Sequence, residues 1–598
     1  MQTLTFIPST LAALELSSLG ELASRFDLFW DAQVFKQETW ERLMNGLRIA
    51  LTFGAALLLM YEARARKLGE RYRERTKRRI GILLTVLAFG VYFDFFNPNV
   101  RYSEYYHRHE LYHYYLGSKY FNEVGYSRLY ECTAVAETEL GRGAQVNARE
   151  IRNLRENLIR PMSDPTVQKY LAECKPNFAP DRWAAFKKDV DWFYHSSAGS
   201  YWEGMTKDHG YNPPPVWTMA GKFFSSFGVA DDGFFKLLAC IDPLLQLGCV
   251  LMIGWAFGWR VMAVATVFWG CNAPANFYWT GGAFLRQDWI FFLVASLCLA
   301  RKRFHFLSGF ALTWSALLRV FPGLLIVGWA IIIAIHVIRK LRGLPGTRTP
   351  GESLSNPLNW LRPEHKRVIA GCAMALAVLV PTSIAVSGVD SYKHFVEHIG
   401  VHKNTPLTNH MGLETILAHN FEGRMHFTRD ENLDDPFQVW KAGRTQRFKN
   451  LQPVYVAMLL TLFAWTVWAL RRTKLMWVGL ALSLPLCMSL TNLTCYYYSM
   501  FIIAAPLILA QPSLGPAFLV TSGASQILLF GTPIGFYYVD DRYTAESYLF
   551  FIFSLCVLFA YSRPFSVARL KAWWHGKPDP KTAAKPADAD IGSRAPAE

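Results

Sequence analysis

Leu475-Met-Trp-Val-Gly-Leu-Ala-Leu-Ser-Leu-Pro-Leu-Cys-Met-Ser-Leu490 opens a stretch that runs through Tyr496-Tyr-Tyr498 to Val539 without one Asp, Glu, Lys, Arg or His. A run that long holds about three membrane spans at roughly 20 residues each. Working outward, Val261–Leu285, Val320–Ile338, Val368–Val389 and Leu451–Leu470 are further runs of crossing length. Leu47–Tyr61, Ile80–Phe93, Leu237–Trp259, Trp289–Ala300, Phe304–Leu318 and Ser547–Ser562 are shorter candidates. The pattern predicts an all-α polytopic membrane protein of about thirteen spans. A chain of 598 residues that is 52% hydrophobic and 15% aromatic would also fit several soluble domains; the clustering of the apolar residues decides against that.

The formal charge of +16 raises nucleic acid as a partner, but its placement argues for a membrane instead. Basic residues crowd into short links at Arg64–Arg79, Arg301–Arg303, Arg339–Arg367, Arg471–Lys474 and the tail after Arg563, whereas Asn97–Asp232 and Asp390–Asn450 balance the two signs. This is the positive-inside pattern: the basic links face the cytoplasm and the two long segments face out. The N-terminus is then outside, the C-terminus inside and the span count odd. The chain divides into a leader, 1–46, with the character of an interfacial helix; two spans, 47–96; an extracytoplasmic helical segment, 97–232; spans over 233–389; a second extracytoplasmic segment, 390–450; C-terminal spans, 451–562; and a cytoplasmic tail, 563–598, partly disordered by composition. The first twenty residues lack a basic start and a clean apolar core, so the first span is expected to act as its own insertion signal. Aromatic-rich stretches in the first outer segment, Tyr102–Leu116 and Tyr126–Leu140, are expected to lie along the membrane surface, where such rings anchor. Cys132 and Cys174 are the only cysteines in the outer segments. A disulfide between them and a pair of free thiols are both open readings.

Four constellations carry polar chemistry. Asp94 closes the uncharged run Ile80–Phe93, and Glu104 follows. A carboxylate at a span mouth serves as a general base, or else caps a helix or pairs with Arg101. His109-Glu110-Leu-Tyr-His113 matches H-E-x-x-H, which on a helix sets two imidazoles one turn apart for zinc with the glutamate as base. No downstream His, Glu or Asp stands out as third ligand, so substrate binding or a structural use by Arg108, His109 and His113 is the expectation. Gly281-Gly-Ala-Phe-Leu-Arg286-Gln-Asp288 and Arg319-Val-Phe-Pro322 place arginines on the outer side, against the inside bias. A guanidinium there suits a lipid-linked phosphate, which it grips bidentately. The blander alternatives are an Arg286–Asp288 pair and a snorkelling Arg319. His394, His398 and His402 fall on one helical face, with Lys403, Asn409 and His410 beyond: a metal site, or a solvated stripe.

Taken in order, these features resemble the GT-C superfamily of integral membrane glycosyltransferases, most closely its polyprenol-phosphate-mannose-dependent mannosyltransferases. An acidic residue follows an early span (Asp94), with a second acid behind it (Glu104). Tyr211-Asn-Pro-Pro is similar to the family's Tyr-Pro-Pro element. Gly282–Asp288 with Arg319-Val-Phe-Pro322 resembles its Gly-x-x-(Asn/Asp) and basic-x-x-Pro pair. Leu407–Leu413 resembles its Asn-x-Ser-x-x-Gly-Leu segment, with Met where Ser is usual. The chain departs from the family in an extra N-terminal span, a long first outer segment and the lack of sharply matched donor-sugar residues. The resemblance implies sugar transfer from a polyprenyl phosphate to an acceptor hydroxyl of a glycan, lipid or protein, on the outer face of a bacterial cytoplasmic membrane. Asp94 would be base, Glu104 its helper, and Arg286 and Arg319 the grip on the phosphate. Arg108, His109, His113, Tyr211, Asp288, His402, Lys403 and Asn409 would bind substrate. The implied partners are the lipid-linked donor and membrane lipid, with no nucleic acid. No cofactor is required, and a divalent metal at His109 and His113 stays open. The rivals are a metalloprotease on H-E-x-x-H and a multi-span transporter, which would favour two related halves.

Overall fold

The computed structural model describes residues 36–70, 72–97, 105–344, 347, 354–403, 405–530, 536–562 and 567–575. Arg101, Glu104, most of the leader and the end of the tail lie outside the described residues, as do the side chains of His402 and Lys403. The chain is about 75% helical with almost no sheet. Among the described residues, six helices are long and apolar enough to cross a membrane: Gln37–Lys67, Asp232–Phe257, Phe321–Leu341, Pro363–Ser387, Gln452–Leu470 and Val539–Tyr561. Five shorter apolar helices accompany them: Trp259–Cys271, His305–Leu318, Met476–Leu490, Cys495–Leu509 and Leu514–Phe530.

Two long apolar runs are broken where hydropathy alone reads them as continuous. Val261–Leu285 stops being regular helix at Cys271, because Pro274 supplies no amide hydrogen and the chain turns through Ala273–Ala275 and Phe277–Thr280 into a loop. Within Leu475–Val539, Pro485 sits near the start of Leu484–Leu490, the Leu493–Thr494 strand interrupts, and Cys495–Leu509 winds as a 3-10 helix. Such a helix is rarely sustained for so many residues.

Helices approach closely where glycines face a neighbouring backbone. A side chain at Gly309 would strike the Val368 carbonyl, one at Gly371 the Phe306 carbonyl, and one at Gly328 the Gly479 carbonyl. Small residues at crossings are how helices associate in lipid, where apolar surfaces gain nothing by leaving water. Glu62 draws cations from two separate parts of the chain: Arg260 grips it at 2.7 and 2.8 Å, and Lys77 reaches it at 2.9 Å.

Residues 105–214 form a folded polar unit, and its aromatic helices do not lie open to a membrane surface as the sequence predicts. Tyr112, Tyr115, Tyr120 and Tyr130 are fully buried. They pack into this unit's own core because their hydroxyls find partners there. Asp189 accepts from Lys119 (2.8 Å), Tyr120 (2.7 Å), Tyr115 (3.2 Å) and the Ala230 amide (2.9 Å), tying the unit to the chain that returns to the spans. Arg149 pairs with Glu137, which also accepts from the Trp202 indole at 2.9 Å. A two-stranded antiparallel hairpin (Glu150–Asn153 with Leu158–Pro161) caps this core. Cys132 and Cys174 are joined in a disulfide with Cα atoms 5.3 Å apart, which closes one of the two readings left open by the sequence.

Beside that disulfide, Glu131 is fully buried, with Arg155 at 3.3 Å. Burial pushes its carboxyl up to about 7, Arg155 opposing. A carboxyl raised above its unfolded value contributes most below that value and loses the contribution as pH rises through the folded one. Wild-type stability is therefore expected to fall between about pH 4.5 and 7 relative to Glu131→Gln, by about 3 kcal/mol in all. Melting temperatures of both proteins from pH 4 to 8 check this; parallel curves would mean that Glu131 titrates alike in the folded and unfolded chain.

Candidate active site

The loop Gly281–Gln287 is shaped from both sides. Asp242, at the start of its span, accepts the Arg286 amide (3.0 and 3.1 Å) and the Gln287 amide (3.1 Å). Gly282 (φ 74°) hands its carbonyl to the His107 amide at 2.8 Å, and a side chain there would collide with the backbone of residues 105–107. The polar unit is thereby docked onto the span ends, and Arg286 is turned inward beneath it.

Arg286 and Arg319 are 6% and 7% exposed and lie within electrostatic reach of each other. Around Arg286 stand Glu110 (2.9 Å), the Tyr114 hydroxyl and the ring of Tyr496, 5.6 Å away. Tyr114 in turn donates to Asn212 at 2.9 Å. Arg319 donates one Nη to the Leu318 carbonyl at 2.7 Å; its other Nη has no hydrogen-bond partner among the described residues. Tyr114, Tyr497 and Asp288 lie within its electrostatic reach. Two guanidiniums held together away from water, one with an Nη that has no hydrogen-bond partner among the described residues, make a site for an anion.

Arg286 thus pairs with Glu110 rather than with Asp288, whose carboxylate accepts from the Trp289 amide at 2.7 Å. Arg319 does not snorkel: its side chain is buried, with Tyr114 and Tyr497 within electrostatic reach. Tyr211 joins the same wall: its hydroxyl meets Thr218 at 2.7 Å and its ring packs on Tyr114 and Trp217. Asn409 approaches through its carbonyl, which accepts the Cys495 amide at 2.9 Å beside Tyr496. Arg108 stacks over Tyr106 at 5.2 Å. The histidine stripe does not converge: His394 is exposed, while His398 is buried against Tyr126.

Asp94 sits elsewhere. Its carboxylate is 2.7 Å from Arg48 and its carbonyl accepts from Trp40 at 3.1 Å. This Arg48 comes from the first long helix; Arg101, the partner that proximity in sequence favours, lies outside the described residues. Asp94, Phe95 and Phe96 all have φ between 50° and 59°, a strained left-handed turn held by these contacts.

The H-E-x-x-H segment is split. Glu110 faces Arg286, so the zinc-protease arrangement, which needs this glutamate beside the ion, is not formed. The two histidines turn the other way, toward Asp208, a third residue that the sequence spacing did not mark. His109 Nε2 is 2.9 Å from Asp208. His113 Nδ1 donates to the His109 carbonyl at 2.7 Å, which leaves Nε2 as an acceptor facing the Tyr130 hydroxyl at 2.7 Å. Burial, with His109 adding, pushes His113 down to about 4. Burial works against charge on His109, yet Asp208 and Glu110 raise it overall. The hydrogen bond from His109 and the three nearby imidazoles outweigh burial and hold Asp208 well below the usual carboxylate range.

Glu110, Asn212, Tyr496 and Asp208 are the functional candidates that sequence reasoning missed. Only Glu110 had a signal, through its motif, and that motif assigned it to the wrong neighbours. Comparison with known proteins returns no match, whether to a family model, a curated protein or a solved structure.

Proposed function

We propose that this chain is a membrane-embedded glycosyltransferase that takes a sugar from a polyprenyl phosphate and gives it to an acceptor hydroxyl. One observation carries the reading: the paired, buried guanidiniums of Arg286 and Arg319 at the span ends, among tyrosine hydroxyls. A lipid-borne phosphate reaches such a place from within the bilayer, and fixed cations stabilise the charge that develops on it as it leaves. In the proposed step the acceptor oxygen bonds to the anomeric carbon while the bond from that carbon to the phosphate oxygen breaks. Polyprenyl phosphate departs into the clamp, and the acceptor's proton passes to a carboxylate. Glu110, beside Arg286, takes that proton in this scheme. Asp94, the base on sequence grounds, is committed to Arg48 and supports the mouth.

The thirteen-span topology belongs to the same proposal. The six long and five shorter apolar helices, with Glu74–Tyr92 and Asp288–Arg301, make that number among the described residues. It agrees with an outside N-terminus, an inside C-terminus and an outward-facing site in a bacterial inner membrane. Single cysteines placed in the 64–79 and 339–367 links are expected to resist an impermeant thiol reagent, while ones near Glu156 and Asp434 label. Labelling of the basic links from outside would invert the protein.

Purified protein incubated with a panel of polyprenyl-phosphate sugars is expected to release polyprenyl phosphate from at least one. Binding of the lipids without turnover would leave a lipid-phosphate site and remove the transferase.

A further inference from the structure

We propose that His109, His113 and Asp208 bind a transition-metal dication of the zinc class, and that the ion fastens the polar unit's return loop to the helix that carries the clamp. The three side chains bring one ligand atom each within 4.8 Å of one another. They come from two segments about a hundred residues apart in the chain, so the pairing is a product of the fold and not of a short sequence match. Two imidazole nitrogens and a carboxylate oxygen form a donor set suited to zinc, with a fourth position left for water or a backbone oxygen.

The surrounding contacts prepare the ligands. Metal-bound histidines characteristically donate their other ring nitrogen to a carbonyl or carboxylate, which fixes the tautomer. His113 does so through Nδ1 to the His109 carbonyl, leaving Nε2 without a proton and able to act as a ligand. Binding an ion there displaces the hydrogen bond from Tyr130; that hydroxyl lies within electrostatic reach of Asp208 and can turn to it. The Met205 carbonyl, 3.1 Å from Nε2, is the nearest further oxygen. Asp208 and His109 are only partly buried, so an ion has a way in from water.

The site's position gives it a structural consequence. Asp208 begins the return that ends in Tyr211 and Asn212, and His113 immediately precedes Tyr114. An ion joining Asp208 to His113 therefore sets the Asn212–Tyr114 hydrogen bond, which holds the hydroxyl that meets Arg286. Glu110 is turned to Arg286 instead of standing beside the ion as a base, and the ion's role is to position. This holds whether or not the clamp serves sugar transfer.

Full-length protein carrying a histidine-free tag, stripped by chelator and dialysed, is titrated with Zn²⁺. About one ion per chain is expected, with a higher melting temperature that chelator reverses. Asp208→Asn keeps the volume and the half-exposed setting and is the decisive variant. It is expected to weaken Zn²⁺ binding by about 10–100-fold or more and to lose the thermal shift. His394→Gln, at an exposed histidine elsewhere, retains both. Because His113 variants can fail to fold, Co²⁺ absorption on the wild-type protein supplies a readout that needs no substitution: ligand-field bands are expected with wild type and not with Asp208→Asn. Wild-type protein that takes up neither ion, or Asp208→Asn that binds like wild type, overturns the site.

Discussion

Arg286→Ala and Arg319→Ala are each expected to cut donor turnover by about 30-fold to a few thousandfold. That range corresponds to the 2–5 kcal/mol lost when one partner of a buried charge-assisted contact is truncated. The two should differ in their cost to the fold. Removing Arg286 strands Glu110 and takes a partner from Tyr114, whereas Arg319 forms no ion pair among the described residues and acts on Asp288 only through space, so Arg319→Ala is the cleaner probe. Lysine at either position is expected to rescue partly, since an ammonium is a point charge without the planar fork. Glu110→Gln separates binding from chemistry. Affinity for the donor should survive it, while transfer falls by roughly 10²–10⁴-fold if Glu110 accepts the proton. Donor binding and release of polyprenyl phosphate, measured on the same preparations, decide the matter. Normal turnover in both alanine variants would reduce the clamp to a structural device.

Asp94→Asn is expected to destabilise the protein by about 3–5 kcal/mol, because it leaves the Arg48 guanidinium buried without its counter-charge. Asparagine is well suited to this test: it tolerates the left-handed backbone at Asp94 (φ 50°), so the turn itself is not penalised. The bond from Trp40 goes to the backbone and is retained. Arg48→Gln combined with Asp94→Asn is expected to recover most of the lost stability, since no charge is then left alone. Transfer per folded molecule should stay near wild type in both. The opposite pattern, an unchanged melting temperature with transfer down by about 10²–10⁴-fold, would return the base to Asp94 and take it from Glu110.

Much of the site was legible one residue at a time. Arg286 and Arg319 stood out because cations on the outer side contradict the charge bias of this chain, and the fold brings that pair together. Their partners were not legible. Arg286 has an acid two positions away in Asp288, yet its backbone and side chain meet Asp242 and Glu110, from distant parts of the chain. Asp94 meets Arg48, 46 positions away. Asp208 has no motif at all. The tyrosines of residues 112–130 read as interfacial anchors by composition alone; their burial depends on acceptors such as Asp189, which only packing brings near.

The sequence by itself determined that the chain is rich in apolar helices suited to a membrane, that its basic residues crowd into short links, and which arginines break that pattern. Those properties are sums over local stretches: span length, hydropathy and the count of charges between spans. The tertiary structure decided which way Glu110 points, that His109 and His113 share a pocket with Asp208, that Cys132 and Cys174 are bonded, and where the long apolar runs break into site-building loops. Each of these turns on contacts between residues far apart in the chain. A buried charge or hydroxyl is stable only where a partner is within hydrogen-bond reach, and the packing of helices, not their order, sets that reach.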